Sequence, residues 1–257
     1  MSAEILNKDD GLPYQGAKYP WLYGLVVFGV DQFLSHKYDF EVFGSEHMPA
    51  RGAVVVASKH ARAKDPAVVA VGITKNRSWP EKRYVASMGK RPLWTDSRYK
   101  KYGFQLGKII EKVDAFPVDR PEDRKPGDNQ ILTSGLRTAL WLLNRGDAVS
   151  ISPEGTRQEE TKDLHRGAAW LAYVSHAPIL PLVIASYLPP EANSSAFKEF
   201  VRVLISPPFQ VDRELPKAEA ITLTTSRLED IFQRDYTRAL GWAAFDAARR
   251  QESAKHG

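Results

Sequence analysis

A histidine and an aspartate that stand five residues apart, in the segment SKHARAKDP (58–66), are the side chains of this sequence best suited to proton transfer. If Asp65 accepts a hydrogen bond from one ring nitrogen of His60, the other nitrogen is free to take a proton from a hydroxyl. The carboxylate also stabilises the imidazolium that forms during the transfer. The local alternative is structural: an aspartate before Pro66 is typical of a helix start, with His60 as an ordinary loop residue.

A second candidate is the segment ISPEGTR (151–157), which combines an acid, a glycine, a hydroxyl and an arginine. Gly155 permits a tight turn and a close approach of the backbone to a ligand. Arg157 carries a planar fork that suits a phosphate, and Glu154 is placed to orient that arginine or a substrate hydroxyl. The alternative is a turn with an ion pair on the surface.

Two further segments are weaker by themselves. DAFPVDR (114–120) predicts a short extended segment that places Arg120 at its end, or else a surface strand with solvated charges. APILPLVI (177–184) predicts an apolar strand with Pro178 and Pro181, which is either a wall for an apolar ligand or a plain core strand.

The elements that must position these residues alternate between strands and helices. GAVVVAS (52–58) and DAVSIS (147–152) are apolar runs of strand length, typical of strands that are covered on both faces. Asp65 and Pro66 predict the start of a helix that continues through residue 73. This alternation predicts an α/β fold with a mixed, largely parallel sheet flanked by helices. Ligands of such sheets gather at the carboxyl ends of the strands, where both candidate segments begin.

We expect one structural domain overall, with three parts along the chain. Residues 1–40 hold an apolar or amphipathic helix that either packs on the core or lies in a membrane interface. Residues 41–215 hold the main domain, and residues 216–257 form a C-terminal helical extension. Further predicted elements are an edge strand within 38–49, strands at 83–88, 179–185 and 201–205, and helices at 129–144, 166–175 and 223–250, the last with its apolar stripe broken around Gly241.

The composition is that of a globular protein, because hydrophobic residues make up 43% and charged residues 26% of the 257 residues. The net charge of +5 favours anionic partners such as phosphates or anionic lipid. The absence of cysteine excludes a disulfide framework, a thiolate metal site and a cysteine nucleophile, and it fits a reducing compartment. The polar N-terminus does not resemble a signal peptide, and no apolar run reaches the roughly 18 residues of a spanning helix.

Taken in order, four segments resemble the ordered motifs of the glycerolipid acyltransferase family, whose best-known members are the 1-acylglycerol-3-phosphate acyltransferases. They are His-x4-Asp at 60–65, Val-Asp-Arg at 118–120, Pro-Glu-Gly-Thr-Arg at 153–157 and Ala-Pro-Ile-Leu-Pro at 177–181. The stretch 166–168 is also similar to the basic-glycine segment that follows the third motif. The resemblance covers about residues 40–210, and four motifs in this order are specific where one would be weak.

The resemblance implies transfer of a fatty acyl group from acyl-CoA or acyl carrier protein to the hydroxyl of a lysophospholipid. The implied acceptor is 1-acylglycerol-3-phosphate, and the product is phosphatidic acid. His60 would act as the general base with Asp65 as its orienting carboxylate, and neither a metal, another cofactor nor a covalent enzyme intermediate is needed. The implied acceptor- and phosphate-binding residues are Glu154, Gly155, Thr156 and Arg157 with Arg120, and the implied acyl-pocket residues are Pro178 and Pro181.

The sequence departs from the family pattern around the histidine. Family members often have asparagine or serine before it and a serine two places after it, whereas this sequence has Lys59 and Arg62 there. Arg62 and Lys64 make the loop basic, either to meet phosphates of the carrier or head group or simply as solvated charges. These departures bear on the identity of the acceptor more than on the chemistry.

A lysolipid and a long acyl chain are poorly soluble, so the enzyme is expected to work at a bilayer surface. The stretch MGKRPLWTDSRYKKYGF (88–104) interleaves five basic residues with four aromatic ones, which favours anionic lipid, although a solvated helix and loop would have the same composition. With the N-terminal helix it predicts a peripheral, monotopic protein on the cytoplasmic face of a membrane.

Two other classes of function stay open. The same chemistry could act on an amino-lipid or a glycolipid, although Arg120 and Arg157 favour an acceptor with a phosphate. A non-catalytic protein that binds lipid or nucleic acid would fit the positive charge, but the sequence has no nucleic-acid motif. We therefore expect lysophospholipid, acyl thioester and a membrane surface as partners, and no nucleic acid.

Overall fold

A computed structural model describes residues 20–59, 65–75, 83–90, 92–101, 104–105, 110–113, 115–118, 134–155, 164–189 and 198–255. Its strands are β1 (Tyr38–Phe43), β2 (Val54–Ser58), β3 (Val85–Lys90), β4 (Lys100–Lys101), β5 (Phe104–Gln105), β6 (Ala115–Val118), β7 (Ala148–Ile151), β8 (Ile179–Tyr187) and β9 (Glu199–Ile205). Seven of them form one sheet in the order β1-β9-β8-β2-β7-β3-β6, while β4 and β5 form a small antiparallel pair.

Helices cover both faces of this sheet. They are α1 (Pro20–Lys37), α2 (Asp65–Thr74), α3 (Pro92–Thr95), α4 (Ser134–Asn144), α5 (Gly167–Ser175) and α6 (Lys217–Lys255), with single 3₁₀ turns at Ser45–His47, Ser97–Tyr99 and Glu111–Val113. The core on one face is built with α1 and α2, and the core on the other face with α4, α5 and α6. The predicted α/β fold with flanking helices is therefore confirmed.

The centre of the sheet is parallel. β8, β2, β7, β3 and β6 all run in one direction, and only the β8–β9 pair is antiparallel. Every residue of β2 is buried, because its neighbours β8 and β7 and the two helical layers enclose it. Consequently β2, β7, β3 and β6 end at the same edge of the sheet, which we call the carboxyl edge.

Several predicted elements lie where the sequence pattern put them. β1 is an edge strand, and α2 begins at Asp65 as the aspartate–proline pair indicated. Helix α6 runs without interruption through Gly241 and is longer at both ends than the predicted 223–250. Its buried face changes at Gly241 as predicted, because Ala239 belongs to the large core cluster and Ala243 to a separate small cluster with Phe200.

The C-terminal helix is anchored through a buried arginine. Arg202 of β9 is almost fully buried, and its guanidinium lies 2.9 Å from Asp39 of β1 and 2.8 Å from Asp246 of α6. Glu41 lies 3.4 Å away, and Arg250 of α6 also pairs with Asp39. We call these five residues the Arg202 cluster, which joins β1, β9 and α6.

The N-terminal helix has one buried face and one exposed face. Tyr23, Val27 and Leu34 pack into the core beside α2, whereas Leu25 and Phe28 are more than half exposed. Helix α1 thus packs on the core, as one of the two predicted alternatives required, and it also presents apolar side chains outward. Within the described ranges, no helix has both the length and the hydropathy required to cross a bilayer.

Candidate active site

The carboxyl edge brings together chain positions that are far apart in sequence. Ala57 of β2 lies opposite Ile151 of β7, and at the ends of β3 and β6 Lys90 lies opposite Val118. The chain therefore leaves β2 toward position 60, β6 toward position 120 and β7 toward Glu154 at one edge. His60 and Arg120 themselves lie outside the described residues, so their predicted roles stay predictions.

The carboxylate predicted to orient the base is held in the interior. Asp65 is the first residue of α2 and only 2% exposed. Pro66 follows as the second helical residue, a position where its missing N–H costs no helical hydrogen bond. A buried carboxylate needs partners in the protein, and the loop that carries His60 ends directly at this residue.

A buried ion pair joins the two predicted motifs. The ammonium of Lys59, the residue before His60, donates a hydrogen bond of 3.0 Å to the Oε1 atom of Glu154, and neither side chain has exposed surface. The backbone N–H of Lys59 donates to the carbonyl of Leu182 in β8 at 2.9 Å. Beside this pair, the hydroxyls of Ser58 and Ser152 lie 3.3 Å apart.

The turn after β7 has the backbone that its sequence predicted. Gly155 has a φ of +66°, and its N–H donates to the Ser152 carbonyl at 3.0 Å. A Cβ atom at this position would lie 2.7 Å from Cδ2 of the exposed His165 ring, which would have to move aside, and the left-handed backbone itself favours glycine. Thr156 and Arg157, which follow in sequence, lie outside the described residues.

The segment that returns from this turn is held in place by two hydrogen bonds. His165 donates its backbone N–H to the carbonyl of Pro153 at 2.7 Å. The N–H of Leu164 donates to the carboxylate of Glu229 in α6 at 3.0 Å. The described residues that follow position 163 are thus fixed against the turn after β7 and against the C-terminal helix.

The C-terminal helix also reaches the ion pair. The ring of Tyr236 in α6 lies 4.9 Å from the ammonium of Lys59, within the range of a cation–π interaction. The neighbouring Asp235 is buried and accepts a hydrogen bond from Ser206, which follows β9. The region predicted as a helical extension therefore packs against the buried ion pair.

The two prolines of the fourth motif are not equivalent. Pro181 is buried and lies opposite Ala57, one residue before the end of β2, so it is close to the carboxyl edge. Pro178 precedes β8, and its carbonyl accepts the N–H of Val55 near the start of β2. Pro181 therefore lies near the carboxyl edge, whereas Pro178 lies near the opposite edge of the sheet. The two prolines differ because they are three positions apart along an extended segment.

Part of the basic and aromatic stretch that follows β3 is described. Arg98 donates to Asp96 from its side chain, at 2.6 and 2.8 Å, and from its backbone N–H at 2.9 Å. These hydrogen bonds, above all those of the side chain, hold the pKa of the half-buried Asp96 carboxyl below its ordinary value. The positive charge of Arg98 is therefore partly compensated, and we expect it to contribute less to anionic lipid binding than an unpaired lysine would.

Among the residues that the structure describes, no three histidine, aspartate or glutamate side chains are grouped as metal ligands. The features that sequence reasoning missed are the pairing of Lys59 with Glu154 and the contribution of Tyr236. Lys59 was noticeable only as an unusual residue before the histidine. Nothing in the local pattern indicated a partner 95 residues away.

Comparisons with known proteins agree with one another. The acyltransferase family model matches residues 39–185. The chain is 30% identical over 210 residues to a 1-acyl-sn-glycerol-3-phosphate acyltransferase of Bacillus subtilis, covering 80% of this chain and 93% of that protein. It is 24% identical over 148 residues to a probable 1-acyl-sn-glycerol-3-phosphate acyltransferase of Mycoplasma genitalium, covering 57% of this chain and 49% of that protein.

A solved structure shows the same fold. The crystal structure of the 1-acyl-sn-glycerophosphate (LPA) acyltransferase PlsC from Thermotoga maritima superposes with a TM-score of 0.54 at 17% identity. The match covers 84% of this chain and 79% of that one. At this identity the likeness concerns the arrangement of the sheet and helices.

Proposed function

The chain belongs to the acyltransferase family and is an O-acyltransferase, and from that premise we propose that it acylates the free hydroxyl of 1-acylglycerol-3-phosphate to give phosphatidic acid. The donor in this proposal is an acyl thioester, either acyl-CoA or acyl carrier protein. The observation that supports the proposal is the buried contact of Lys59, the residue before the His-x4-Asp segment, with Glu154 of the Pro-Glu-Gly-Thr-Arg segment.

In the proposed reaction, a ring nitrogen of His60 takes the proton of the acceptor hydroxyl while the hydroxyl oxygen attacks the thioester carbonyl carbon. The carbon–sulfur bond then breaks, and the leaving thiolate takes the proton from the imidazolium. The products are one ester and one thiol. Asp65 holds the imidazole in the required tautomer and stabilises its charged form, as its buried position at the start of α2 supports.

The acceptor is held through its phosphate in this proposal. Arg157 and Thr156 follow the Gly155 turn directly, and Arg120 comes two residues after the end of β6 at the same edge. Arginine suits this task because its planar donors bind a phosphate at two points. Holding the anionic end of the acceptor fixes the distance of its hydroxyl from the base, and such positioning contributes to the rate together with proton removal.

A kinetic assay tests the base directly. Purified protein is given 1-acylglycerol-3-phosphate with acyl-CoA or acyl carrier protein as donor, and release of the thiol is followed. We expect His60→Ala to lower kcat by about 10²–10⁴-fold, since that is the usual contribution of a positioned base. His176→Ala is the matched control, because His176 is an exposed histidine just before Ala177 and Pro178 at the opposite edge of the sheet.

The control should keep the rate of the wild type and the mutant should keep its fold. Equal rates for His60→Ala and the wild type would remove the assigned base. A wild type that acylates an amino-lipid or a glycolipid and leaves the phosphate-bearing acceptor untouched would contradict the proposed substrate.

We further propose that the protein works as a peripheral enzyme on a membrane surface at the cytoplasmic face. Trp21, Leu25 and Phe28 follow one another at helical spacing on the outer face of α1, and each is more than half exposed. Large apolar side chains on one helix face are typical of helices that lie in the membrane interface. The basic stretch 88–104, which begins in the last residues of β3, would add attraction to anionic lipid.

Vesicle sedimentation tests this surface. Vesicles that contain phosphatidylglycerol should bind the wild type, and Leu25→Glu/Phe28→Glu should lose most of this binding because two charges enter the apolar face. Phe245→Glu is the matched control, since Phe245 is an equally exposed phenylalanine on α6. Charge reversal at Lys100 and Lys101 should weaken binding further. Binding that is unchanged in the α1 variant would contradict the proposal.

A further inference from the structure

The lysine before the predicted base is buried, which requires an explanation. Lys59 is the residue that immediately precedes His60, and its side chain has no exposed surface. A buried ammonium is costly unless it is paired and hydrogen-bonded. The Glu154 carboxylate at 3.0 Å and the Tyr236 ring at 4.9 Å supply that compensation from two directions.

Both partners of Lys59 come from parts of the chain that are remote in sequence. Glu154 belongs to the turn that precedes Arg157, and Tyr236 belongs to the C-terminal helix. Val55 and Ala57 of β2 face the core formed with α4, α5 and α6. Lys59 follows the last residue of β2 directly, and its contact with Tyr236 of α6 puts its side chain on the same side of the sheet. The contact therefore follows from the position of Lys59 at the end of β2, and it does not involve an exposed side chain.

The burial of Glu154 bears on its role. A carboxylate with no exposed surface that already accepts a charged hydrogen bond from Lys59 is poorly placed to receive an incoming acceptor. The residues that the loop presents after it, Thr156 and Arg157, are the ones that suit a phosphate. Glu154 is thus better explained as the fixed point of the turn than as a contact of the substrate.

We infer that Lys59 and Glu154 form one positioning device that sets the separation between the base at residue 60 and the phosphate-binding turn at 154–157. This inference rests on the proposed function, and it assigns Lys59 a positioning role in that reaction. The pair joins the ends of β2 and β7, and Tyr236 closes it from α6. Displacing the turn by a fraction of an ångström would move the acceptor phosphate relative to the base, and reaction rates are sensitive to such displacements.

A double-mutant cycle on Lys59→Met and Glu154→Gln tests the inference. Both replacements keep the approximate size of the side chain, and the double variant leaves no lone charge in the interior, so it should be at least as stable as either single variant. Each variant is assayed with 1-acylglycerol-3-phosphate and acyl-CoA, and the KM of each substrate is measured. KM values do not depend on the fraction of active protein, so partial unfolding does not disturb the comparison.

We expect the acceptor KM to rise by roughly tenfold to a hundredfold in each single variant, with the donor KM close to that of the wild type. The acceptor KM of the double variant should be no higher than that of the more affected single variant, because both changes break the same interaction. Asp246→Asn, which weakens the Arg202 cluster two strands away from β2, should lower the melting temperature and leave both KM values unchanged.

Three results would overturn the inference. They are an unchanged acceptor KM in all variants, a parallel rise of acceptor and donor KM, and effects of the two single variants that multiply in the double variant, which would indicate separate roles. A wild type without acyl transfer would instead contradict the proposed function, and with it this inference. The two failures are therefore distinguishable in the same experiment.

Discussion

Two regions of the molecule contain buried ion pairs, and they differ in what the pairs connect. The Arg202 cluster joins strands β1 and β9 to the long helix α6, so its charges lie between regular elements. The Lys59–Glu154 pair joins the segments that follow β2 and β7, and those segments continue into the predicted base and the phosphate-binding turn. The same interaction thus stabilises the fold in one region and fixes loop geometry in the other.

This difference indicates how to separate stability from function in this protein. Regular elements are held by many backbone hydrogen bonds and core contacts, so a weakened Arg202 cluster should lower stability without moving a reacting group. Loop segments have fewer such restraints, and one buried contact at their base has more influence on their position. We therefore expect variants of the Arg202 cluster to lose stability with unchanged kinetics. Variants of the Lys59–Glu154 pair should instead change the acceptor KM.

The largest effect on stability is expected for Arg202→Met. This change leaves Asp39 and the half-buried Asp246 without their central partner, and loss of one member of a buried ion pair costs about 3–5 kcal/mol. Urea denaturation should show this loss, while kcat and both KM values, measured where the variant is folded, should equal those of the wild type. A change in acceptor KM would mean that the two regions are coupled.

Two glycines with left-handed backbones provide a matched pair for the two edges of the sheet. Gly155 has a φ of +66° and lies under the His165 ring, whereas Gly52 has a φ of +85° and open space around its Cα. Alanine at either position should cost roughly 1–2 kcal/mol of stability because of the backbone strain. Only Gly155→Ala should also raise the acceptor KM, because the strained turn leads directly to Thr156 and Arg157, the predicted phosphate-binding residues.

A drop in kcat/KM of the same size for Gly52→Ala would contradict this contrast. Gly52 lies before β2 at the edge opposite the site, so the kinetic parameters of its variant should not change. Measuring the free energy of unfolding for both variants separates the strain from the effect on the site.

A smaller effect is expected at the point where the C-terminal helix meets the ion pair. Tyr236→Leu removes the ring above the Lys59 ammonium, and a cation–π contact contributes about 0.5–2 kcal/mol. We expect a modest loss of stability with a small rise in acceptor KM, and Tyr236→Phe, which keeps the ring, should retain both values of the wild type. An equal loss in the phenylalanine variant would assign the effect to the hydroxyl.

The smallest effect should be an increase in stability. His176 follows α5 with a φ of +61°, a conformation that costs a non-glycine residue free energy. His176→Gly should therefore raise the free energy of unfolding by about 0.5–1 kcal/mol if relief of strain exceeds the added entropy of the unfolded chain. Thermal melting measures this directly, and activity should stay the same because the residue lies far from the carboxyl edge.

The sequence predicted the strands and helices around the site better than the side-chain contacts between them. The uniformly apolar run that became β2 is typical of a central strand, and the aspartate–proline pair indicated the start of α2, because these signals are local. The expectation of a parallel sheet put the ends of β2 and β7 at one edge, but it did not make them neighbours. The pairing of Lys59 with Glu154 and the approach of Tyr236 depend on strand order and helix packing, which no periodicity encodes.

The fourth motif illustrates the same limit. Pro178 and Pro181 were predicted together as residues of an acyl pocket, yet only Pro181 lies near the carboxyl edge. Three residues of an extended strand span about 10 Å along the sheet. The motif itself does not indicate which of its two prolines lies near that edge, and the role of both in an acyl pocket stays a prediction.

The central claim is that a base and a phosphate-binding turn are held at a fixed separation at the carboxyl edge. Its most direct test is the ratio of kcat/KM for 1-acylglycerol-3-phosphate to that for 1-acylglycerol, which lacks the phosphate, in the wild type and in Arg157→Ala. We predict a high ratio in the wild type and a ratio that falls by at least about tenfold in the variant, because a charge-assisted phosphate contact is lost. An equal ratio in both proteins would contradict the claim.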